Sequence, residues 1–333
     1  MKSNPKVVIT VGDEAGIGPE IILKALASTE IPKKINILIV GNKKNLISKF
    51  LFLKSLGIEK IIDPNQLNIE DLKISVNKVK GPSNDTGNAS FLYLKHAIEI
   101  VKKSPNSALV TSPICKKSWN AAGHNYSGQT ELLSEMCDCP NVGMLFTAKS
   151  PFTGWRFNTL LATTHIPIKE VPHKLNKNLI NTKLDLLYQF CNKFKNKPTI
   201  HVAGLNPHAG EEGILGTEEV EFIKQSMHDW KIKNPLANIS GLISPDSCWI
   251  TSAIAWRENN ANPPDGILAL YHDQGLIPVK IITLNYSVNT TIGLPIVRTS
   301  PDHGTGFDIA GKGIAQCQSM IEAIKTANDL LVN

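Results

Sequence analysis

The stretch KVVITVGDEAGIGPEIILKAL, residues 6–26, indicates the fold class. Its first six residues form a short apolar run that is typical of a buried strand. Gly12, Gly16 and Gly18 follow in a loop, and Pro19 suits the first turn of a helix. From residue 20 onward, apolar side chains recur at helical spacing. A strand, a glycine-rich loop and a helix in this order favour an α/β fold.

The same alternation of strand and helix continues to the end of the chain. We predict further strands at residues 36–40, 108–111, 159–163, 199–203 and 266–271. We predict helices at residues 20–27, 91–102, 178–193, 218–230 and 319–331. Because helices separate successive strands, the sheets should be mainly parallel.

Length and composition favour a globular protein of about two domains. The chain has 333 residues, of which 42% are apolar and 19% charged, so there is ample side chain to bury and global disorder is excluded. We place the crossings between domains near residues 123–128 and 285–293. The first domain is then discontinuous, residues 1–128 plus 294–333, and the second comprises residues 129–293.

The net charge of +6 comes from 35 basic and 29 acidic residues. The lysines are scattered without a run of five basic residues, which is typical of a solvated surface. Neither a basic helix nor an aromatic stacking array is visible, so we expect no nucleic-acid partner. No apolar run approaches the ~20 residues of a membrane-spanning helix, and the opening run is too short for a signal peptide. We expect a cytoplasmic protein whose six cysteines stay reduced.

Histidines follow three of the predicted strands. His165, His208 and His272 each occur where a strand ends. Ligands of open α/β sheets bind at the carboxyl ends of strands. Three imidazoles are a common ligand set for a divalent metal, although each could instead be a separate hydrogen-bonding group.

A polar, glycine-rich stretch at residues 299–313 is suited to an anionic or nucleotide ligand, which backbone N–H groups can surround. It approximates a P-loop, but Gly313 stands where that motif has Ser or Thr, and the chain ends soon afterwards. The opening glycines also lack the G-x-G-x-x-G spacing of a Rossmann site. Any NAD site would therefore lie outside the Rossmann pattern.

Several blocks resemble the 4-hydroxythreonine-4-phosphate dehydrogenase family of pyridoxal phosphate synthesis. They cover residues 10–20, 162–165, 204–211, 271–276, 293–295 and 298–300. Residues 303–304 and 308–315 also resemble the adenosine-binding loop of isopropylmalate dehydrogenases, which bind NAD without the Rossmann fingerprint.

The resemblance implies an isocitrate/isopropylmalate dehydrogenase-like fold with two α/β/α domains around an interdomain cleft, and a homodimer with a shared active site. One divalent metal (Zn, Mg, Co or Mn) is implied on His165, His208 and His272, with one ligand from the partner subunit. Substrate contacts are implied at Gln129, Thr130, Lys280, Asn289 and Arg298. Contacts to NAD or NADP are implied at His303, Gly304, Thr305 and Asp308.

The reaction implied is NAD(P)-dependent oxidation of 4-phosphooxy-L-threonine. The product is a β-keto acid that loses CO2 to give 3-amino-2-oxopropyl phosphate. We expect Asp246 and Asp273 to orient imidazoles or transfer protons, although Asp246 could instead cap the turn after Pro245. Lys280 would protonate the enolate, stabilise its charge or bind phosphate. Arg298 suits bidentate binding of an anion, with a structural salt bridge as the alternative.

Two positions depart from the family pattern. Glu14 stands where the family usually has Pro, and Gln129 stands where it usually has His. Glutamine can donate a hydrogen bond to an anion but cannot carry a charge. A sister dehydrogenase acting on threonate or erythronate 4-phosphate, a transferase and a non-catalytic relative remain as alternatives.

Overall fold

The computed structural model describes residues 4–74, 76 and 80–332. The strands of this part of the chain are β1 (Lys6–Thr10), β2 (Asn36–Gly41), β3 (Ile69–Asp71), β4 (Ser107–Thr111), β5 (Gly143–Lys149), β6 (Arg156–Leu161), β7 (Thr199–Ala203), β8 (Asn238–Ile243), β9 (Gly266–Ala269), β10 (Val288–Ile292) and β11 (Val297–Pro301). The α-helices are α1 (Gly18–Leu26), α2 (Lys43–Ser55), α3 (Asn84–Lys103), α4 (Lys116–Ala121), α5 (Gln129–Met136), α6 (Val171–Lys174), α7 (Lys177–Asn192), α8 (Lys224–Lys233), α9 (Ile250–Arg257), α10 (His272–Thr283) and α11 (Gln318–Val332).

The chain divides into two compact units. Unit 1 comprises Met1–Pro140 with Leu294–Asn333, and unit 2 comprises Asn141–Gly293. Helix α5 belongs to unit 1, where Lys102 Nζ donates to the Met136 carbonyl at 2.5 Å.

Unit 1 is built on a parallel sheet with the strand order β3-β2-β1-β4-β11. Val8 at its centre pairs with Leu38 on one side and Leu109 on the other. Val8 and Leu109 are fully buried, as the continuous apolar runs of these strands predict. The loops that leave β1, β4 and β11 therefore start from one edge of this sheet.

Unit 2 has the strand order β10-β5-β6-β9-β7-β8. Strand β5 runs antiparallel to both β10 and β6, while β6, β9, β7 and β8 pair in parallel. Phe157 and Ile267 are buried in the core on this sheet, together with Trp256 of α9. Both units are therefore α/β with mainly parallel pairing, as the sequence predicts.

Two helices differ from their predicted bounds for identifiable reasons. Helix α3 begins at Asn84 rather than at residue 91, because the Ser83 side chain caps it by accepting from the Thr86 N–H at 3.2 Å. Residues predicted as a single helix from 218 start with a π-helical turn over Glu219–Ile223 before α8. Such turns frequently occur at functional sites. Within the described ranges, no helix has the length and apolarity to cross a membrane.

Candidate active site

The imidazoles of His165 and His272 lie side by side in unit 2, with ring centroids 5.6 Å apart. His165 follows β6 and His272 begins α10, which follows β9. Strands β6 and β9 are parallel neighbours, and the Thr163 hydroxyl donates to the Leu270 carbonyl at 2.7 Å between their ends. The fold thus brings these two predicted ligands together.

Asp273 orients one of these rings. Its carboxylate oxygen Oδ1 lies 2.7 Å from Nδ1 of His272. A carboxylate on one ring nitrogen fixes the ring and its tautomer and leaves Nε2 free to bind a metal. The orienting contact expected of Asp273 is therefore present in the structure.

His208 lies on an unusual turn at Pro207–Gly213. Five consecutive residues, from His208 to Glu212, have positive φ angles between 40° and 81°. Only one of them, Gly210, is glycine, and left-handed backbone costs roughly 1–2 kcal/mol at each other residue. The turn must therefore be held by contacts outside it.

Glu219, on the π-helical turn, holds the entry to the His208 turn. Its buried carboxylate accepts from the backbone N–H groups of Leu205 at 2.8 Å and Asn206 at 2.7 Å. The Asn206 side-chain amide donates to the same carboxylate at 2.8 Å and to Glu218 at 2.7 Å. Glu219 was not predicted from the sequence, where its only signal was an acidic pair opening a predicted helix soon after the His208 loop.

His208 does not join the other two histidines. Among the described residues, no group of three or more His, Cys, Asp or Glu side chains is placed to hold a metal ion. The His208 side chain is 61% exposed, and its Nδ1 lies 2.5 Å from the Glu211 carboxylate, which raises the pKa of His208. The expected set of three imidazoles is therefore not assembled within one chain, because the left-handed turn directs His208 to other partners.

Asp246 is exposed just after β8 and contributes to the electrostatics of the same region. Its Oδ1 accepts from the Ser244 hydroxyl at 2.6 Å, which lowers the pKa of Asp246. Its charge also acts on His208.

Lys280 is exposed in the last turn of α10, and Asn289 is half-buried on β10.

Arg298 is the most deeply buried of the predicted substrate contacts. It lies on β11 with 3% exposure, and its Nη2 donates to the Thr111 hydroxyl at 2.7 Å. Burial lowers the pKa of the guanidinium to about 10, while the charge of Glu131 opposes that shift. Arg298 therefore remains positively charged at neutral pH.

Gln129 and Thr130 begin α5, with Gln129 in the place of the family histidine. The Gln129 side-chain amide donates to the Ser112 carbonyl at 3.1 Å. Because a carbonyl can only accept, this contact fixes which end of the amide faces it. The Gln129 oxygen Oε1 is buried, and no described residue hydrogen-bonds to it.

The opening glycine loop packs directly on residues 303–315 within unit 1. These residues contain the predicted cofactor contacts and are called the cofactor loop below. The Ile17 N–H donates to the Thr305 carbonyl at 2.8 Å. A Cβ on Gly16 would lie 2.6 Å from that same oxygen, so only glycine allows this close approach. The glycines of the opening loop thus serve loop packing instead of a Rossmann phosphate site.

A buried ion pair anchors the far end of the cofactor loop. Lys24 Nζ lies 2.8 Å from the Glu20 carboxylate and donates to the carbonyls of Gly313 and Ala315, both at 2.8 Å. Glu20 also accepts from the Ala315 N–H at 3.0 Å. The chain at 313–315 is therefore fixed to α1 by three hydrogen bonds.

The central part of the cofactor loop borders a cavity of about 690 Å³ within unit 1. Phe307, Asp308 and Lys312 line it from the loop. His303 lies outside this lining, with its Nδ1 3.1 Å from the Gly304 carbonyl. The size of the cavity suits part of a dinucleotide.

An apolar groove of about 550 Å³ runs between α9 and α10 on unit 2. Ile250 and Ile254 of α9 are 55% and 40% exposed, and Ile277 and Ile281 of α10 are 58% and 70% exposed. Asp246 and Asp273 line the same groove, so it adjoins the histidine region. A cluster of exposed isoleucines of this kind is typical of a protein–protein contact.

Comparison with known proteins gives the same assignment along nearly the whole chain. The family model described as "Pyridoxal phosphate biosynthetic protein PdxA" matches residues 33–327. A 4-hydroxythreonine-4-phosphate dehydrogenase of Synechococcus sp. (strain RCC307) is 47% identical over 98% of this chain and 99% of its own. One from Nostoc sp. (strain PCC 7120 / SAG 25.82 / UTEX 2576) is 45% identical over 99% and 94%.

A solved structure shares both the fold and the family name. The crystal structure of 4-hydroxythreonine-4-phosphate dehydrogenase from Klebsiella pneumoniae superposes with a TM-score of 0.81. It is 29% identical in sequence, and the match covers 98% of this chain and 99% of that one. The chain is therefore a member of the PdxA family of pyridoxal phosphate biosynthetic proteins.

Proposed function

We propose that this chain catalyses the NAD(P)-dependent oxidation of 4-phosphooxy-L-threonine. The resulting β-keto acid loses CO2 to give 3-amino-2-oxopropyl phosphate, a precursor of pyridoxal 5'-phosphate. The observation that carries the proposal is the 47% identity to a 4-hydroxythreonine-4-phosphate dehydrogenase, which extends over 98% of the chain. The retention of His165, His208 and His272 supports an active enzyme.

The three imidazoles would hold one divalent metal. Imidazole nitrogen suits Zn, Co and Mn, and the 5.6 Å between the rings of His165 and His272 fits two ligands of one ion. A metal bound there would supply a Lewis acid that lowers the pKa of the substrate alcohol and stabilises the enolate left by CO2. Asp273 would keep the His272 ring in its ligating orientation.

We infer that the third imidazole, His208, comes from a second copy of the chain. The described residues of one chain assemble only the pair, and His208 is exposed. The isoleucine groove between α9 and α10 adjoins Asp246 and Asp273, so a copy docked there would lie next to the pair. In a two-fold dimer each copy then completes the site of the other.

The substrate anions would be bound by charged and hydrogen-bonding side chains. Arg298 carries a planar, charged fork that suits a phosphate or carboxylate. The N-terminus of α5, with Thr130, adds N–H groups and a hydroxyl. The resemblance also implies Lys280 as a cation and Asn289 as a neutral hydrogen-bonding group.

The group that accepts the proton of the substrate alcohol must be in its basic form at neutral pH. The contact from Ser244 keeps the pKa of Asp246 low, so Asp246 is a carboxylate under these conditions. We propose that Asp246 accepts the proton of the substrate alcohol or relays it to solvent. Lys280 would then place positive charge near the enolate oxygen.

The dinucleotide would bind at the cofactor loop, with His303, Gly304, Thr305 and Asp308 as contacts. The fit rests on the cavity beside Phe307 and Asp308 and on the left-handed Gly306, Gly311 and Gly313, whose backbone can approach a ligand closely. Bound nicotinamide would supply the hydride acceptor. Hydrogen bonds at Thr305 and at Gly313 hold the two ends of the loop.

The direct test is an assay of purified protein with 4-phosphooxy-L-threonine, a divalent metal and NAD. We expect NADH absorbance at 340 nm to appear with an equal amount of CO2. Treatment with a chelator should abolish the signal, and added zinc or cobalt should restore it. Absence of NADH formation in protein that contains metal and binds NAD would contradict the proposed function.

A complementation experiment tests the shared metal site. The inactive variants His165→Ala, His208→Ala and His272→Ala are unfolded, mixed in pairs and refolded. If His208 crosses between copies, each mixture that contains His208→Ala yields heterodimers with one intact site, about a quarter of wild-type activity by random pairing. The mixture of His165→Ala with His272→Ala should stay inactive. Activity in no mixture would contradict the shared site.

A further inference from the structure

The carboxylate of Glu14 lines the unit 1 cavity that the cofactor loop also borders. Around it the cavity is lined by Asn45, Lys49 and Phe52 of α2 and by Phe307 and Asp308 of the cofactor loop. Of the residues that the resemblance assigns to the cofactor, only Asp308 lies among these. Glu14 is one of the two positions that depart from the pattern implied by the resemblance.

Glu14 is fixed by two donors. Its Oε1 accepts from the Tyr93 hydroxyl at 2.6 Å, and its Oε2 accepts from the Asn45 side-chain amide. Tyr93 is fully buried on α3, and Asn45 is set by the start of α2, where its N–H donates to the Asn42 cap at 3.1 Å. Burial raises the pKa of Glu14, whereas the hydrogen bonds from Tyr93 and Asn45 and the charge of Lys49 favour its carboxylate form. A carboxylate has about four acceptor positions, so two remain after these contacts.

The other walls suit a nucleoside. Phe52 and Phe307 offer aromatic surface, and a Cβ on Gly311 would lie 3.5 Å from the Phe52 ring, which places that ring against the cofactor loop. Phe52 is 47% exposed, so its ring has surface available for a base. In dinucleotide sites of α/β folds a carboxylate commonly accepts a hydrogen bond from the ribose 2'-hydroxyl, and aromatic rings offer apolar surface to a base.

The three lysines that line the cavity differ in how exposed they are. Lys80 and Lys312 are exposed, whereas Lys49 is half-buried and its charge acts on Glu14. Burial lowers the pKa of Lys49, and the charges of Glu20 and Glu14 oppose that shift. Lys49 therefore compensates Glu14 inside the cavity and can also attract the phosphates of a ligand, which every nicotinamide dinucleotide carries.

We propose that Glu14 selects the cofactor by accepting a hydrogen bond from the 2'-hydroxyl of the adenosine ribose, so that the protein uses NAD and rejects NADP. This inference rests on the proposed dehydrogenase function. The 2'-phosphate of NADP would place its charge against a carboxylate that Tyr93 and Asn45 prevent from moving away. Like charges held together in this way weaken binding.

The test is direct binding, measured by isothermal titration of the metal-loaded protein without substrate. The probes are ADP-ribose and 2'-phospho-ADP-ribose, which differ only in the 2'-phosphate. We expect the wild-type protein to bind ADP-ribose at least about tenfold more tightly. Glu14→Gln, which keeps the shape and removes the charge, should reduce this preference to less than about threefold.

Three further variants separate selection from general effects. Glu59→Gln removes an exposed carboxylate of the same unit and should leave the preference unchanged. Lys49→Gln should weaken both probes to a similar degree, because both carry the two shared phosphates. Tyr93→Phe keeps the charge of Glu14 but loosens it, and should reduce the preference partially, which retains a test if Glu14→Gln fails to fold.

Each outcome decides one proposal. Equal binding of the two probes by wild-type protein, or an unchanged preference in folded Glu14→Gln, overturns the role of Glu14. Binding of neither probe overturns it as well. Charge-dependent binding through Glu14 without turnover of 4-phosphooxy-L-threonine would leave this inference standing and overturn the proposed substrate.

Discussion

The side-chain amide of Gln129 donates to the backbone carbonyl of Ser112 at 3.1 Å. One of its two N–H groups is therefore engaged by the protein, and its Oε1 is buried without a hydrogen bond from any described residue. An unsatisfied buried polar atom costs roughly 1–3 kcal/mol. The position that carries a histidine in the family thus offers only one remaining donor to a substrate anion.

We expect Gln129→His to tighten the phosphorylated substrate. An imidazole can carry positive charge, and charge-assisted hydrogen bonds are about twice as strong as neutral ones. The KM for 4-phosphooxy-L-threonine should fall about fivefold, which corresponds to binding that is tighter by roughly 1 kcal/mol. Steady-state kinetics at saturating NAD measures this. An unchanged or higher KM would indicate a pocket adapted to another ligand.

Glu219 is expected to control metal content through the His208 turn. Glu219→Ala leaves two partly buried backbone N–H groups without an acceptor, at a cost of up to about 1–3 kcal/mol for each. The left-handed turn should then relax, and metal measured by atomic emission should fall at least about tenfold at limiting zinc. Excess zinc should partly restore kcat.

Glu221→Gln is the matched control for that experiment, because Glu221 lies on the same turn but is exposed. It should retain the wild-type metal content. A folded Glu219→Ala protein with full metal occupancy and unchanged kcat would remove Glu219 from the account of the site.

Lys24 is expected to affect cofactor binding more than substrate binding. Lys24→Met removes both hydrogen bonds to the chain at 313–315 and leaves the fully buried Glu20 without its cation. Breaking a buried pair in this way costs about 3–5 kcal/mol of stability. In protein that remains folded, the Kd for NAD should rise about tenfold, while the KM for the phosphorylated substrate stays within about twofold.

Lys33→Met, at an exposed lysine of the same unit, controls for the loss of one charge. Lys24→Arg should recover most of the affinity for NAD. An equal rise in the two constants would mean that Lys24 supports the fold generally and has no particular connection with the cofactor loop.

The isoleucine groove should hold the second copy of the chain. Ile281→Glu places a charge at a 70% exposed position between the copies, where desolvation without a partner is costly. We expect light scattering to show monomers and activity to fall to background, because the metal set loses one ligand. Ile168→Glu, at a 73% exposed position of unit 2 outside the groove, should remain dimeric and active. A fully active Ile281→Glu monomer would contradict the shared site.

The sequence predicted elements well where local pattern and tertiary role agree. Strand β7 has the predicted bounds at residues 199–203, because Ile200 and Val202 alternate with less buried residues. Helix α10 escaped prediction, since Pro278 and Gly275 within it argue against a helix. Packing of Leu276 and Val279 in the core of unit 2 outweighs those local preferences.

The residues of the candidate site also differ in whether local sequence could predict their placement. Strand-end position alone picked out His165 and His272, and the parallel pairing of β6 and β9 makes them neighbours. Local sequence could not reveal that His208 lies on a left-handed turn away from this pair, because four of its five left-handed residues are not glycine. The engagement of Gln129 with Ser112 also depends on a contact between separate elements.

The central claim is the identity of the substrate, and the most direct measurement is a comparison of kcat/KM for 4-phosphooxy-L-threonine and D-erythronate 4-phosphate. Both assays use the same metal-loaded protein and follow NADH. We predict a preference for the amino acid of at least about a hundredfold, because a site that binds an amino group rejects analogues that lack it. A higher kcat/KM for the sugar acid would contradict the account.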